Sequence, residues 1–293
     1  LALNTLKNYT STWSWFEEFC NRRGWRALPA SKGAVIAAML DKLFAGAGSM
    51  AKKVFYAVRT AHSQAGLRSP TDDEFVASVR DSVEHCWRSF GGGRGPRDPF
   101  PVEAFRSFCV RPPDGFSQFE WERDKALLAV GLRLMRRPSK LAELELRDIS
   151  FLETGMVSVL FYKSKGQKFA FTLPMDESSP SLSCPVKNLR DYVKKWRRNM
   201  HPQTRLFTKD AEGRRVWNGA DIDKELKRIA SVLMLLGNIG GHSARSGGAT
   251  AAAAGGATLT QIQAVGRWTS EAALLYIRGV AAAAGGLSAK MGL

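Results

Sequence analysis

The 293-residue sequence is poor in cysteine, in acidic residues and in long apolar runs. Its four cysteines lie far apart, with no CxxC pair and no histidine at metal-ligand spacing, so we expect neither a disulfide framework nor a zinc site. No apolar run approaches the roughly 18 residues that indicate a transmembrane helix, and no signal peptide is visible. We therefore expect a protein that is not secreted and that works in a reducing compartment, the cytoplasm, the nucleoid or the nucleus, without a membrane partner.

Positive charge is what the sequence has in excess. Lysine and arginine together number 43, against 27 aspartates and glutamates, which gives a formal net charge of +16. Because hydrophobic residues still make up 44% of the chain, this is a folded basic protein and not a disordered basic tail. Such an excess indicates a polyanionic partner, and nucleic acid is a better candidate than an anionic membrane surface.

A glycine- and proline-rich stretch, residues 91–99 with the sequence GGGRGPRDP, divides the chain. Consecutive glycines and two prolines disfavour both helix and strand. The length of 293 residues also agrees with about two domains. We therefore predict a first domain over residues 1–90, a linker over 91–99 and a second domain over 100–293.

The first domain is predicted to consist of four helices. Residues 5–20 repeat apolar side chains at intervals of three and four, which is typical of one buried helix face. Ser31 is a candidate N-cap for the second helix, and the third is expected over about 49–63 with Gly66 as its stop. The fourth helix is predicted to open with a capping box at residues 71–74.

The second domain is predicted to be mixed but mostly helical. Helices are expected at 101–110, 117–136 and 186–198, and a hairpin is expected from strands 155–162 and 168–174. The remaining predicted elements are a short strand pair within 204–218 and glycine-interrupted helices from Asp221 onward.

The stretch 240–279, GGHSARSGGATAAAAGGATLTQIQAVGRWTSEAALLYIRG, places reactive residue types among small ones. His242 and Arg245 lie three apart near a predicted helix start, so both side chains can point at one anion beside a helix end that favours negative charge. Trp268 and Tyr276 follow after a glycine break. Taken singly, each residue has a structural interpretation: a capped helix with a solvated arginine, and two aromatic core positions.

A second group of cations lies upstream of that stretch. Arg137 belongs to GLRLMRRPSKLAELELRDIS, just before the predicted hairpin with Lys163, Lys165 and Lys168. The order along the chain is therefore arginine, hairpin lysine, HxxR, tryptophan and tyrosine. This order resembles the tyrosine recombinase family, the DNA-breaking and rejoining enzymes that include phage integrases. The stretches GHSARSG and WTSEAALLYIR resemble its Cre branch.

The resemblance covers the whole chain and implies a fold and an activity. The fold would be mostly α with a small β-sheet: a two-domain DNA clamp with an N-terminal four-helix core-binding domain and a mixed α/β catalytic domain. The activity would be site-specific DNA recombination or integration. The implied partners are double-stranded DNA with a specific recombination site and further copies of the chain, which would form a tetramer on DNA. No metal and no cofactor would take part.

The resemblance also implies a catalytic set: Tyr276, Arg137, Lys165, His242, Arg245 and Trp268, with the histidine and the tryptophan as additional hydrogen-bond donors. Tyr276 would attack a phosphodiester and conserve the bond energy as a 3′-phosphotyrosine. Arg137 and Arg245 would donate paired N–H bonds to the non-bridging oxygens, for which a planar guanidinium suits better than an ammonium. Lys165 would protonate the departing 5′ oxygen.

Two of these assignments involve a choice between neighbours. We prefer Arg137 to Arg136 because RPSKLAELELRDI matches the family's spacing from the arginine to the Asp-Ile before the first strand. We place Lys165 ahead of Lys163 because KGQK followed by a strand is more similar to the family's hairpin.

Six cations are candidates for DNA contact: Lys52, Lys53, Arg59, Arg94, Lys163 and Arg267. For those on the N-terminal helices, a solvated basic face is an equally good interpretation. Arg267 also competes with its neighbour Trp268 for the position that contacts the phosphate.

One position departs from the family pattern and keeps other functions open. The family has an acidic residue three after its first arginine, where this chain has Lys140, and Glu143 could substitute one helical turn further along. Lys140 favours a DNA-binding relative that has lost the reaction. A type IB topoisomerase, which shares the chemistry but relaxes DNA as a monomer, is a second alternative. An RNA-binding protein is a third, although no RRM or KH signature is present.

Overall fold

The computed structural model describes residues 3–92, 97–161, 171–175, 182–268 and 271–277. The chain divides into two compact units, an N-terminal unit of Leu1–Gly95 and a C-terminal unit of Pro96–Leu293. The boundary between the two units lies within the stretch 91–99. Each unit has its own hydrophobic core.

The N-terminal unit is built from four helices. These are α1 (Leu3–Asn21), α2 (Lys32–Phe44), α3 (Ala51–Gln64) and α4 (Glu74–Ser89). The predicted cap of α2 is confirmed, because the side chain of Ser31 accepts a hydrogen bond from the backbone N of Ala34. Gly66 follows α3 with φ +69°, a left-handed conformation that a helix cannot continue through.

The predicted start of α4 is wrong by two residues. Asp73, and not Thr71, is the N-cap: its carboxylate accepts hydrogen bonds from the backbone N of Phe75 and Val76. Pro70 opens a short 3-10 turn over Pro70–Asp72 because its ring presets a helical φ and it has no N–H to lose. Threonine and aspartate both favour the N-cap position, so residue type alone does not distinguish Thr71 from Asp73.

The C-terminal unit is mostly helical with one small sheet, as predicted. Its elements are α5 (Val102–Phe108), α6 (Gln118–Leu134), α7 (Pro138–Ala142), β1 (Ile149–Phe151), β2 (Val157–Phe161), β3 (Phe171–Met175), α8 (Pro185–Trp196), α9 (Gly219–Val232), α10 (Ser243–Ala254) and α11 (Leu259–Gly266). A 3-10 helix, Glu271–Tyr276, follows α11. The strands form an antiparallel sheet in the order β1-β2-β3, and β2 buries alternate residues toward the core.

The predicted strand pair within 204–218 is absent as such. Between residues 204 and 218 the structure has an isolated bridge of Thr208 with Val216, and Arg205 forms another with Glu145. The segment is held instead by the buried side chain of Arg197, whose guanidinium donates to the carbonyl oxygens of Leu206 and Ala211. Because a guanidinium satisfies these carbonyls, the segment needs no regular strand pairing.

Glycines let α10 approach its neighbours closely. A Cβ at Gly248 would lie 1.9 Å from the carbonyl oxygen of Leu132 at the end of α6, and a Cβ at Gly247 would lie 2.3 Å from that of Phe100. No side chain fits at such distances, so α10 packs backbone to backbone against α6. This packing sets where the side chains at the start of α10 point.

In the part of the chain that the structure describes, no helix is both long and apolar enough to cross a membrane. The same residues contain no group of three or more His, Cys, Asp or Glu side chains that could hold a metal ion. The cysteines are all free: Cys20, Cys86, Cys109 and Cys184.

Candidate active site

Arg245 is held at the junction of α6 and α10. Its side chain is only 3% exposed, and its Nη1 donates a hydrogen bond of 2.6 Å to the carbonyl oxygen of Met135. Met135 ends α6 in a left-handed conformation with φ 51°, so α6 stops directly beside this guanidinium. His242 is the residue that precedes α10, and its side chain is half-buried.

Two aromatic rings and the histidine surround the guanidinium of Arg245. Its Cζ lies 3.9 Å from the ring centroid of Trp268 and 5.2 Å from that of Tyr276. The Tyr276 side chain also opposes the lowering of the Arg245 pKa that burial causes. The Tyr276 ring centroid lies 5.1 Å from that of Trp268 and 6.3 Å from that of His242. Four of the six predicted catalytic side chains therefore meet at one place.

Two hydroxyl groups of α10 hold the backbone of Tyr276. The Oγ of Ser246 donates to the Tyr276 carbonyl oxygen at 2.8 Å, and the Oγ1 of Thr250 donates to the same atom at 3.2 Å. Neither residue was among those predicted from the sequence. The sequence signal that could have identified them is their spacing. Ser246 directly follows Arg245, and Thr250 lies four residues later, so both side chains lie on the same face of α10.

The position of Trp268 depends on the end of α11. A Cβ at Gly266 would lie 1.8 Å from the Trp268 ring. The indole therefore occupies the space that a side chain at position 266 would need. Arg267 has a left-handed conformation with φ 57°, which turns the chain sharply between Gly266 and Trp268. Trp268 therefore faces Arg245, whereas the side chain of Arg267 is exposed.

Burial and neighbouring cations both act on Arg245. Burial lowers its pKa to about 10, Tyr276 opposes this change, and the charge of Arg137 adds to it. The pKa of His242 is also lowered, first by burial and then by Arg245 and Arg137, so this imidazole is mostly neutral at pH 7. The Nε of Arg245 and the Nδ1 of His242 are buried and lack a hydrogen-bond partner among the described residues. An anion at this point would therefore gain both charge and donors.

The two candidate arginines after α6 point to different places. Arg136 is 5% exposed, and its Nη2 donates a hydrogen bond of 2.7 Å to the carbonyl oxygen of Val265 in α11. Burial, Arg245 and Arg267 lower its pKa to about 9. Arg137 is exposed at the start of α7, close enough for its charge to act on both His242 and Arg245. The preference for Arg137 stays a prediction.

Lys140 is paired within its own helical turn. Its Nζ lies 2.5 Å from the Oε2 of Glu143. Glu143, the candidate substitute for the acidic residue of the family pattern, therefore partly neutralises the charge of Lys140.

Other predicted residues lie elsewhere. Lys52, Lys53 and Arg59 are exposed on α3 of the N-terminal unit, where Lys52 is 3.5 Å from Glu84 and Arg59 is 3.5 Å from Asp72. Three predicted residues lie outside the described residues: Arg94, Lys163 and Lys165. Their roles in DNA contact and proton transfer stay predictions.

The chain is similar in sequence to a curated protein of Selenomonas ruminantium, an integrase/recombinase XerD homolog. The two are 24% identical over 262 residues, which cover 86% of this chain and 74% of that protein. No protein-family model matches the chain.

Solved structures share its fold. A lambda integrase (residues 75–356) dimer bound to a COC′ core site matches with a TM-score of 0.64 and 15% identity, over 95% of this chain and 90% of that chain. The Tn1549 transposon integrase in complex with circular intermediate DNA matches with a TM-score of 0.55 and 16% identity, over 85% of this chain and 81% of that chain. At these identities, the likeness establishes the fold.

Proposed function

We propose that this chain is a site-specific DNA recombinase or integrase that cleaves and rejoins strands through a 3′-phosphotyrosyl intermediate, without metal or ATP. The sequence relative and the structural neighbours support the tyrosine recombinase/integrase family. The observation that carries the proposal is the meeting of Tyr276, Trp268 and His242 around the buried guanidinium of Arg245. These residues come from α10, the end of α11 and the following 3-10 helix, so only the fold brings them together.

Strand cleavage would proceed by an in-line displacement at phosphorus. The phenol oxygen of Tyr276 forms a bond to phosphorus as the bond to the 5′ oxygen breaks, and Lys165 supplies the proton that the leaving 5′ oxygen takes up. The phenol proton goes to water or to the neutral imidazole of His242. A 5′ hydroxyl from a second strand then attacks the phosphotyrosine and rejoins the DNA, so the energy of the broken bond is conserved.

The arginines would stabilise the pentavalent transition state. Negative charge grows on the non-bridging oxygens as the nucleophile adds, so donors at fixed positions bind the transition state more strongly than the ground state. Arg245 is held in place by the Met135 carbonyl and by the Trp268 ring. It therefore needs little rearrangement when the charge develops.

DNA binding and assembly complete the proposal. Both units would contribute basic surface to double-stranded DNA, with the six cations Lys52, Lys53, Arg59, Arg94, Lys163 and Arg267 as contacts. Four copies would assemble on two sites in the cytoplasm, the nucleoid or the nucleus. A Cre-like branch and a role in a mobile element are part of the same proposal.

A covalent-trapping assay tests this function. The wild type, Tyr276→Phe and a matched control, Tyr9→Phe, are incubated in EDTA with a pool of randomised, nicked DNA duplexes and separated on a denaturing gel. We expect a protein–DNA adduct with the wild type and with Tyr9→Phe and none with Tyr276→Phe, and sequencing the trapped DNA gives the recognition site.

Other outcomes identify the alternatives. Tight DNA binding with no adduct would contradict catalysis and favour the DNA-binding relative that Lys140 suggested. An adduct with no sequence preference, together with relaxation of supercoiled plasmid by a monomer, would favour the topoisomerase. An adduct that survives in Tyr276→Phe would assign the nucleophile to another residue.

A further inference from the structure

The loop that leads into His242 is tightly confined. It consists of residues 237–241, GNIGG, between α9 and α10, and we refer to it as the glycine loop. A Cβ at Gly240 would lie 2.5 Å from the Oδ1 of Asp223, and a Cβ at Gly241 would lie 2.7 Å from the Cγ of Pro138. The loop backbone therefore runs directly against α9 on one side and α7 on the other, and a Cβ at either position would force a neighbouring side chain to move.

Asp223, on α9, is the side chain that holds this loop next to the histidine. Its Oδ1 accepts a hydrogen bond of 2.7 Å from the backbone N of Gly241, the residue immediately before His242. The same carboxylate accepts from Arg97 at 3.3 Å and pairs with Lys227 at 2.6 Å. Burial raises the pKa of Asp223, but the Gly241 amide and Lys227 outweigh it and lower the pKa, so the carboxylate is ionised at neutral pH.

The segment that enters the C-terminal unit holds the other end of the glycine loop. Arg97 donates to the side-chain oxygen of Asn238, and the Oδ2 of Asp98 accepts a hydrogen bond of 2.6 Å from the Asn238 backbone N. The backbone N of Asp98 also donates to the Asn238 carbonyl oxygen at 3.2 Å. Arg97 therefore contacts both the loop and the carboxylate of Asp223.

We infer that Asp223 is a positioning residue for His242, which it fixes through the Gly241 amide while Arg97 holds the carboxylate in place. The inference rests on the proposed function, since it assigns the support of one catalytic side chain. A hydrogen bond to a charged acceptor is stronger than a neutral one, and here it acts one residue away from the imidazole. A displacement of about 1 Å at a reacting group can cost about 100-fold in rate, so such support matters for catalysis.

Asp223 also acts on His242 through its charge. After burial, the groups that lower the pKa of His242 are Arg245 and Arg137 and, more weakly, Arg97, whereas Asp223 raises it. The Tyr276 ring packs against the same imidazole from the 3-10 helix. Removing the carboxylate and removing Arg97 should therefore move the pKa of His242 in opposite directions, whereas simple loss of structure would not.

The test combines NMR titration of His242 with single-turnover cleavage of a DNA duplex that carries the recognition site found in the covalent-trapping assay. In Asp223→Asn, the pKa of His242 should fall because the raising charge is lost; in Arg97→Gln, it should rise. Asp223→Ala, which also loses the acceptor for Gly241, should slow cleavage by about 100-fold and leave the DNA dissociation constant within about twofold of the wild type. Asp223→Glu, which keeps the charge, should recover part of the rate.

Asp191→Asn is the matched control, because Asp191 forms an exposed pair with Lys187 on α8. It should change neither readout. An unchanged pKa of His242 in Asp223→Asn, or a cleavage rate in Asp223→Ala within about twofold of the wild type, would overturn the inference. If the wild type forms no adduct, the proposed function fails, and the NMR titration still decides whether Asp223 acts on His242.

Discussion

Two arginines of the C-terminal unit are almost equally buried and are held in opposite ways. Arg123 of α6 is 2% exposed and Arg245 of α10 is 3% exposed. Arg123 forms hydrogen bonds of 2.7 and 3.0 Å with the carboxylate of Asp124 and lies 3.2 Å from Glu225. Arg245 instead donates to the backbone carbonyl of Met135 and packs against the rings of Trp268 and Tyr276.

The pKa values follow this difference. Burial alone would lower the pKa of Arg123, but the charge and hydrogen bonds of Asp124 and the charge of Glu225 raise it. Burial lowers the pKa of Arg245 to about 10; Tyr276 opposes this change, and the charge of Arg137 adds to it. A buried cation with carboxylate partners leaves an uncompensated buried charge when it is removed, whereas one held without such partners is poised to bind an anion.

The largest expected effect is on the carboxylate-paired arginine. Arg123→Met should lower the free energy of unfolding by about 3–5 kcal/mol, because it leaves Asp124 buried without its partner. Urea denaturation measures the change. The double variant Arg123→Met, Asp124→Leu should recover most of the loss, since it removes both charges; if it does not, the pair is not the cause.

Arg245→Met should separate activity from stability. We expect adduct formation to slow by about 100- to 1,000-fold, which corresponds to losing one donor to a developing negative charge. The free energy of unfolding should stay within about 1 kcal/mol of the wild type, because methionine replaces a buried cation that has no carboxylate partner. A loss of stability as large as that of Arg123→Met would remove the distinction between the two arginines.

Inorganic sulfate should sharpen the same comparison. At about ten times its dissociation constant, a bound anion raises the free energy of unfolding by about 1.4 kcal/mol. We expect this increase with the wild type and not with Arg245→Met, as measured by thermal denaturation at constant ionic strength with chloride as the reference salt. An equal increase in both proteins would place the anion elsewhere.

The smallest effect concerns Glu120, whose partner Arg228 also pairs with Glu225, the second carboxylate beside Arg123. Burial raises the pKa of Glu120, but hydrogen bonds from Arg228 and Ser117 outweigh it and lower the pKa from 4.5 to about 2. Its stabilising effect is therefore complete above pH 4.5 and is lost as the pH falls through 2. Glu120→Gln should cost about 1 kcal/mol at pH 7, after allowance for partial exposure, and this cost should disappear as the pH falls below about 2.

The control for that experiment is Glu103→Gln. Glu103 is 80% exposed and pairs with Arg106 at 3.8 Å. It should show no pH-dependent difference from the wild type, since an exposed pair contributes little. A dependence equal to that of Glu120→Gln would mean that overall charge, and not the Arg228 bond, is responsible.

Much of the fold follows from local patterns in the sequence. The apolar intervals of three and four predicted the helices, and Ser31 and Gly66 marked a start and a stop correctly. The mistakes were also local. Asp73 replaced the predicted cap because a proline had already opened a turn, and the segment 204–218 is held by a buried arginine where strands were predicted.

The candidate site was predicted in part. The spacing of His242 and Arg245, together with the aromatic residues that follow, identified four side chains that the structure brings together. Asp223, Ser246 and Thr250 were not identified. Aspartate, serine and threonine are common on any helix surface, and nothing in their local sequence shows that they bond to the loop before His242 or to the backbone of Tyr276.

The sequence by itself determined which residue types are available and where helices begin and end, because caps, turns and helical periodicity act within a few residues. Only the tertiary structure decided that both Arg123 and Arg245 are buried, and that Glu225 lies beside the first and the phenol of Tyr276 beside the second. That outcome depends on contacts between segments far apart in the chain, such as Gly248 against Leu132, whose distances no local pattern encodes. Charge and burial are properties of those contacts, and the proposed chemistry depends on both.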